Sequence, residues 1–179
     1  MKILTFPNNK LYKVSEDCDI SDQAERERVS GLIKEMIPTM YEANGIGLSA
    51  PQVGENKRIF IIDVDQETEK DEDGEVLSRT PGKLLVFINP KIISKEGEKI
   101  CEEGCLSVPG VYEEIRRAEK LTIEYYDENF EKKSMTAEGL LAVAIQHEND
   151  HLDGVLFIDK LPTVKRTVVK NRILKGKNL

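Results

Sequence analysis

The chain holds only two histidines among its 179 residues, three cysteines, no glutamate after position 148 and no acidic residue in its last 20 positions. Each shortage excludes something. Two histidines cannot build a metal site from imidazoles alone, because a catalytic metal keeps three protein ligands and one open position. An odd number of cysteines leaves at least one thiol unpaired, and residues Met1 to Lys10 lack the apolar stretch of a secretory signal, so a disulfide framework is not expected. No run of about 18 apolar residues occurs, which argues against a membrane-spanning helix. There is no internal repeat. A soluble, cytoplasmic protein of one domain spanning residues 1–179 is expected, and a chain of this size buries about 70% of its unfolded surface.

Both histidines stand in His147-Glu148-Asn149-Asp150-His151, an H-E-x-x-H pattern. On a helix, positions i and i+4 share a face, so both imidazoles can reach one cation. Glu148 lies beside them, where its carboxylate can reach a water on the same metal. The preceding Leu140 to Ile145 is apolar all round, as in a helix enclosed by protein. Thr136 is read as the N-cap, with Glu138 in the first turn, and Gly154 as the C-terminal stop. Two surface histidines flanking a charged turn would not need this wrapping.

The third ligand is not downstream. Phe157 stands where a third histidine would follow Gly154, no glutamate remains, and Asp153 is two residues from His151 and points off the metal face. An upstream cysteine is the strong candidate. Cys18 lies in a polar stretch and reads as incidental. Cys101 and Cys105 lie in Ile100-Cys101-Glu102-Glu103-Gly104-Cys105-Leu106-Ser107-Val108-Pro109-Gly110, where Gly104 lets the backbone turn tightly and Pro109-Gly110 punctuates the other side. The competing reading of Cys105 is a small buried hydrophobe. In Gly45-Ile46-Gly47-Leu48-Ser49-Ala50-Pro51-Gln52, the glycines do not fit a phosphate loop, since the order is wrong and a helix pattern precedes them. Gly45 is read as a helix C-cap, followed by backbone that approaches a ligand and ends in an amide.

These three segments resemble the peptide deformylase family, whose motifs run G-x-G-L-A-A-x-Q, E-G-C-L-S and Q-H-E-x-D-H-x-x-G. Here they stand at Gly45 to Gln52, Glu103 to Ser107 and Gln146 to Gly154, with one departure, Ser49 for an alanine. The resemblance covers roughly the whole chain. It implies a metal bound by Cys105, His147 and His151. It implies Glu148 as general base and then acid, with the Gln52 amide and the Leu106 backbone N–H facing the developing oxyanion. It places Ile46, Gly47, Cys101, Leu140 and Val143 around the substrate methionine. Cys101 replaces a larger apolar residue, and Tyr112 stands where several members have arginine. The activity implied is removal of the N-formyl group from the formyl-methionine of newly made proteins, releasing formate. The His-His-Cys set suits zinc, iron, cobalt or nickel. The resemblance points to ferrous iron, one ion per chain, with Ni2+, Co2+ or Zn2+ as substitutes. A thiolate on ferrous iron also implies sensitivity to air. The rival readings are an H-E-x-x-H metallopeptidase and a non-catalytic ribosome-associated protein on the same fold.

The remaining pattern suits an α+β fold, with antiparallel sheets around the motif helix. Ser21 to Asn44 reads as a first helix, with Pro38 expected to kink or shorten it. Arg58 to Val64, Leu84 to Asn89 and Leu121 to Tyr126 read as strands. The acidic segment 65–83 reads as an exposed hairpin or loop. Lys160 to Leu179 holds seven Lys or Arg, leaving 19 basic and 33 acidic residues in 1–159. Val164, Val168 and Ile173 are expected on one side of a short terminal helix with its basic side exposed. That basic segment is a solvated face or, as the resemblance implies, a transient contact with the ribosome.

Overall fold

The computed structural model describes residues 1–70 and 76–176. Helix α1 spans Gln23–Glu42, β1 Gly47–Ser49, β2 Ile59–Ile62, β3 Glu67–Lys70, β4 Val76–Thr80, β5 Leu85–Glu96, β6 Lys99–Cys105, β7 Val108–Arg117, β8 Lys120–Tyr126 and β9 Lys132–Glu138. Helices α2 (Gly139–Leu152) and α3 (Thr163–Leu174) complete the chain, with short 3-10 turns at Asn9–Tyr12, Ala50–Val53 and Phe157–Lys160.

A five-stranded sheet runs in the order β1-β2-β5-β8-β9, every neighbour antiparallel. Strand β2 is apolar on both faces, as a strand covered on both sides requires. In β2, Ile59 and Ile61 join α1 residues Val29, Ile33, Met36 and Met40 in one core. Phe60 and Ile62 join α2 residues Ala142, Ile145 and Leu152 in another. The period-2 alternation of a strand therefore sends neighbouring residues into two cores, and the sheet lies between α1 and α2. The α+β architecture with antiparallel strands around the motif helix is the one expected.

Several local expectations need correction. Thr136 does not cap α2. It sits in β9 opposite Thr122, and the helix starts at Gly139, whose φ is +62°. The ladder with β8 satisfies the backbone there, which outweighs Thr136's local preference for a cap. Pro38 does not shorten α1, which runs on to Glu42; Thr39 Oγ donates back to the Glu35 carbonyl and accepts from the N-terminal amine. Gly45 is not the cap of α1, because Asn44 supplies the left-handed residue (φ +58°). At the other end of the motif helix, Gly154 takes its expected place after the C-cap, with φ +71°.

The acidic segment forms the β3–β4 hairpin, whose tip, residues 71–75, lies outside the described residues. Its base is tied down by buried Asp63, which accepts from Tyr41 Oη at 2.7 Å and from the Gly82 N–H at 2.8 Å. The terminal helix also differs from expectation. Val169 is buried and Ile173 packs beside it, while Val164 and Val168 face outward at 79% and 51% exposure. The reason is spacing: 164 and 168 share one face, and 169 and 173 share the next. Nor is the basic side simply free, since Lys160 pairs with Asp150, Lys165 with Glu113 and Lys170 with Asp159.

Candidate active site

Helix α2 brings His147, Glu148 and His151 under the turn that ends β6. Strands β6 and β7 form a separate two-stranded hairpin, closed by Leu106-Ser107, with Cys105 opposite Val108. Cys105 is thus the last strand residue before a two-residue turn, a position rigid enough to aim a side chain. Gly104 does not provide the bend; a Cβ there would lie 2.7 Å from Tyr112 Cε1, so glycine is needed for space. Cys105 Sγ lies 3.2 Å from His151 Nε2, and one ligand atom from each of Cys105, His147 and His151 lies within 4.8 Å of the others. All three cysteines are free thiols, so Cys101 and Cys105 are not joined.

The electrostatics of this cluster ask for a cation. His147 Nδ1 lies 2.9 Å from Glu103 Oε2, which leaves Nε2 for the cluster and fixes the tautomer once the ring is neutral. Burial would lower the pKa of His147, but facing Cys105 and Glu103 outweigh it and hold the ring well above its ordinary value. The proton that His147 holds so strongly competes for the position a metal ion would take beside Cys105 Sγ and His151 Nε2. His151 has no such support, and burial with neighbouring His147 pushes it well down, toward the neutral ligand form. The donor set therefore fits a divalent ion of the borderline kind.

Behind His147 stands a buried network that the sequence reading did not include. Arg117, 4% exposed, holds Glu103 with two bonds of 2.6 and 2.9 Å and reaches Asp150 at 2.6 Å. Burial alone would raise Glu103, but Arg117 and His147 bring its carboxyl down to about 2. Arg117 is the last residue of β7 and Asp150 lies in α2, so one guanidinium locks the hairpin to the helix. The only sequence hint was an arginine ending an alternating strand, which on its own points nowhere.

Opposite lies the wall made by β1 and the following 3-10 turn. Glu148 is buried, and burial raises its carboxyl to about 7. Its Oε2 has no hydrogen-bond partner among the described residues. A Cβ on Gly47 would stand 2.5 Å from Glu148 Oε1, so this glycine makes room for the carboxylate. Gly45 does the same for Leu106, whose Cδ1 would be 2.7 Å from an added Cβ. Gln52 is buried, and its Oε1 accepts from the Ser49 N–H at 2.8 Å and the Ser49 hydroxyl at 2.9 Å. Its Nε2 is thereby turned toward Ser107 Oγ at 3.2 Å and Cys105 Sγ at 3.6 Å. Ser49, the departure from the motif, is thus an added clamp on this amide.

These groups share one cleft of about 550 Å³. Ile46, Gly47, Leu106, Val143 and Leu140 line it with Gln52, Cys105, His147 and Glu148; Leu140 stands at the mouth, 54% exposed. Cys101 does not line it. It lies in β6 opposite Ile115, four residues along the strand from Cys105, a rise of roughly 13 Å. Tyr112 does line the cleft, at the rim. A second hollow of about 570 Å³, bordered by Val64, Tyr125, Met135 and Leu141, contains none of the three candidate ligands.

The chain resembles known proteins along nearly its whole length. The family model described as polypeptide deformylase matches residues 1–167. Peptide deformylase 2 of Xanthomonas axonopodis pv. citri is 41% identical over 175 residues, 98% of this chain and 95% of that protein. The Chromobacterium violaceum peptide deformylase is 37% identical over the same shares. The crystal structure of a peptide deformylase from Legionella pneumophila superposes with a TM-score of 0.80 at 39% identity, covering 98% of this chain and 94% of that one. The Synechococcus elongatus enzyme in complex with actinonin gives 0.78 at 37% identity, covering 99% and 85%. With its motif helix, cysteine turn and amide wall gathered around one cleft, the chain belongs to the polypeptide deformylase family of metal-dependent hydrolases, which remove the N-formyl group from proteins.

Proposed function

We propose that this chain deformylates N-formyl-methionyl nascent peptides using one divalent ion held by Cys105, His147 and His151, with Fe2+ as the working metal and Ni2+, Co2+ or Zn2+ as substitutes. The observation that carries the reading is buried Glu148, whose Oε2 has no hydrogen-bond partner among the described residues, in the same cleft as Gln52, Cys105 and His147. When bound, the ion supplies Lewis acidity toward water and a carbonyl oxygen. Glu148 accepts the proton of the attacking water and returns it to the departing amine. A carboxyl near 7 suits both roles at neutral pH. Gln52 Nε2, held in one orientation by Ser49, donates to the oxygen on which charge develops, and the Leu106 N–H is the second donor. Ile46, Gly47, Val143 and Leu140 surround the methionine side chain. Formate and a free N-terminus result.

The test is formate release from formyl-Met-Ala-Ser by anaerobically prepared, metal-loaded protein beside Glu148→Ala. Turnover in the parent and a loss of about 10²- to 10⁴-fold in the variant are expected. A folded, metal-loaded parent that releases no formate would sink the reading. The family match does not favour the peptidase or binding-protein readings. Among the described residues no helix is long and apolar enough to cross a membrane, and a cytoplasmic setting belongs to the same proposal.

The ribosome contact rests on what the tail keeps unpaired. Among the described residues Arg172 and Lys175 have no ion pair, while Lys160, Lys165 and Lys170 are already committed to body carboxylates. Co-sedimentation with ribosomes should weaken in a double Arg172→Glu, Lys175→Glu variant, and unchanged binding would remove the tail from the proposal.

A further inference from the structure

The wall of the cleft that carries Ile46 is gripped from outside. Gly45 and Ile46 line the cleft but belong to no helix or strand. Their carbonyls are bound by the chain that follows β2. The Ile46 oxygen accepts from the Asp63 N–H at 2.8 Å, and the Gly45 oxygen accepts from Gln66 Nε2 at 3.0 Å. The same Nε2 donates to the Asp63 carbonyl at 3.0 Å. One side-chain amide therefore clasps the wall to the end of β2, with an N–H for each carbonyl. Gln66 Oε1 is buried and has no hydrogen-bond partner among the described residues. An acceptor left unmet is costly, so this side chain holds its place through its donors.

The clasp has firm backing. Asp63 is fully buried and is met by three neutral donors: Tyr41 Oη at 2.7 Å, the Gly82 N–H at 2.8 Å and the Asp65 N–H at 3.2 Å. Burial and the facing carboxylate push the Tyr41 phenol above its ordinary range, so it remains a donor. A Cβ on Gly82 would lie 2.3 Å from the Asp65 carbonyl oxygen, so the two legs of the β3–β4 hairpin are pressed together at this point. In front, Gly45 packs on Leu106, which also lines the cleft. Gly45 thus sits between Gln66 behind and Leu106 ahead.

We propose that Gln66 is a positioning residue that fixes the width of the cleft at Gly45 and Ile46, and so sets the preference for methionine over a bulkier first side chain. The inference rests on the deformylase reading and adds the residue that keeps its methionine pocket narrow. A flexible, unbranched thioether enters a narrow slot. A phenyl ring needs the wall to move, and a wall tied on its far side resists. The hydrogen bonds of Gln66 end on backbone carbonyls and not on Glu148 or the ligand cluster. Its effect therefore falls on KM and selectivity, not on metal retention.

The experiment measures kcat and KM for formyl-Met-Ala-Ser and formyl-Phe-Ala-Ser with metal-loaded parent, Gln66→Met, Gln66→Lys and Tyr41→Phe. Melts and chelator competition accompany each protein. Gln66→Met fills the same space without a donor. It should raise KM for the methionine peptide by about 5-fold, the worth of one hydrogen bond, and lower the methionine-to-phenylalanine ratio of kcat/KM by about 3- to 10-fold. Its kcat should stay within about twofold and its metal retention should not change. Gln66→Lys restores a donor and should recover most of the ratio. Tyr41→Phe loosens only the backing and should shift the ratio the same way by about twofold; it carries the test should Gln66→Met melt below the assay temperature. A folded Gln66→Met with parental KM and ratio would overturn the inference and leave the deformylase reading intact. A fall in kcat with loss of metal would also overturn it, by making Gln66 a support of the metal site. No turnover of either peptide by the parent would sink the deformylase reading and this inference together.

Discussion

Two sides of the same hairpin behave in opposite ways. On its inner side, Glu103 and Arg117 are buried, doubly bonded to each other and joined to His147 and Asp150. On its outer side, Glu102, Tyr112 and Glu114 are exposed, and the two carboxylates have no ion partner among the described residues. Adjacent residues of one strand point to opposite faces, so Glu102 and Glu103 are chemically alike and differ only in parity. The difference teaches where this fold spends its constraint. The positions of Glu103 and His147 are over-determined, and the outer surface is left open.

Substitutions on each side should therefore differ in kind. The largest effect is expected from Arg117→Ala, which takes the buried guanidinium from Glu103 and Asp150 and leaves them only His147 and Lys160. It should cost about 3–5 kcal/mol of stability in denaturant melts and weaken metal binding by about 10- to 100-fold in chelator competition. Unchanged metal retention would erase the contrast between the two sides. Next comes Gln52→Ala, on the facing wall, which should lower kcat by about 10²- to 10³-fold with KM little changed. A pure KM effect would instead make Gln52 a binding group.

Ser49→Ala removes one of two bonds to Gln52 Oε1 while the backbone N–H keeps the other. The loss should be about 1 kcal/mol, near fivefold in kcat, and no loss would show that the hydroxyl clamp is redundant. The smallest effect belongs to the lip: Tyr112→Ala should leave stability within about 0.5 kcal/mol and change formyl-Met-Ala-Ser turnover less than threefold, measured by melt and formate assay. A large stability loss there would mean that the outer face is structural after all.

Much of this arrangement was legible from the residues alone. The helix with both histidines and the strands at 58–64, 84–89 and 121–126 carry strong local signals and have their counterparts in the structure, and Cys105 lies beside both histidines. What escaped were elements whose meaning is set at long range. Strand β1 is three residues long, too short for periodicity. Strand β9 looked like a helix start because Thr136 and Glu138 are good cap residues in isolation, and only the neighbouring β8 decides otherwise. Arg117 is 33 positions from Asp150 and 14 from Glu103, so nothing local announces their meeting. Gly104 and Gly45 were read as bends, but their neighbours Tyr112 and Leu106 show that they are spaces.

The pairing of β6 with β7 has one irregular step. Cys105 faces Val108, and the next recorded pair is Glu103 with Glu113, so Pro109, Gly110, Val111 and Tyr112 stand against the single Gly104. The slack on the β7 side bulges into the lip of the cleft. Register on either side of it is pinned independently, by the turn at one end and by Arg117 at the other. The lip is therefore an exchangeable edge: exposed Pro109 and Tyr112 can be rewritten while buried Val111 and the sulfur of Cys105 stay where they are.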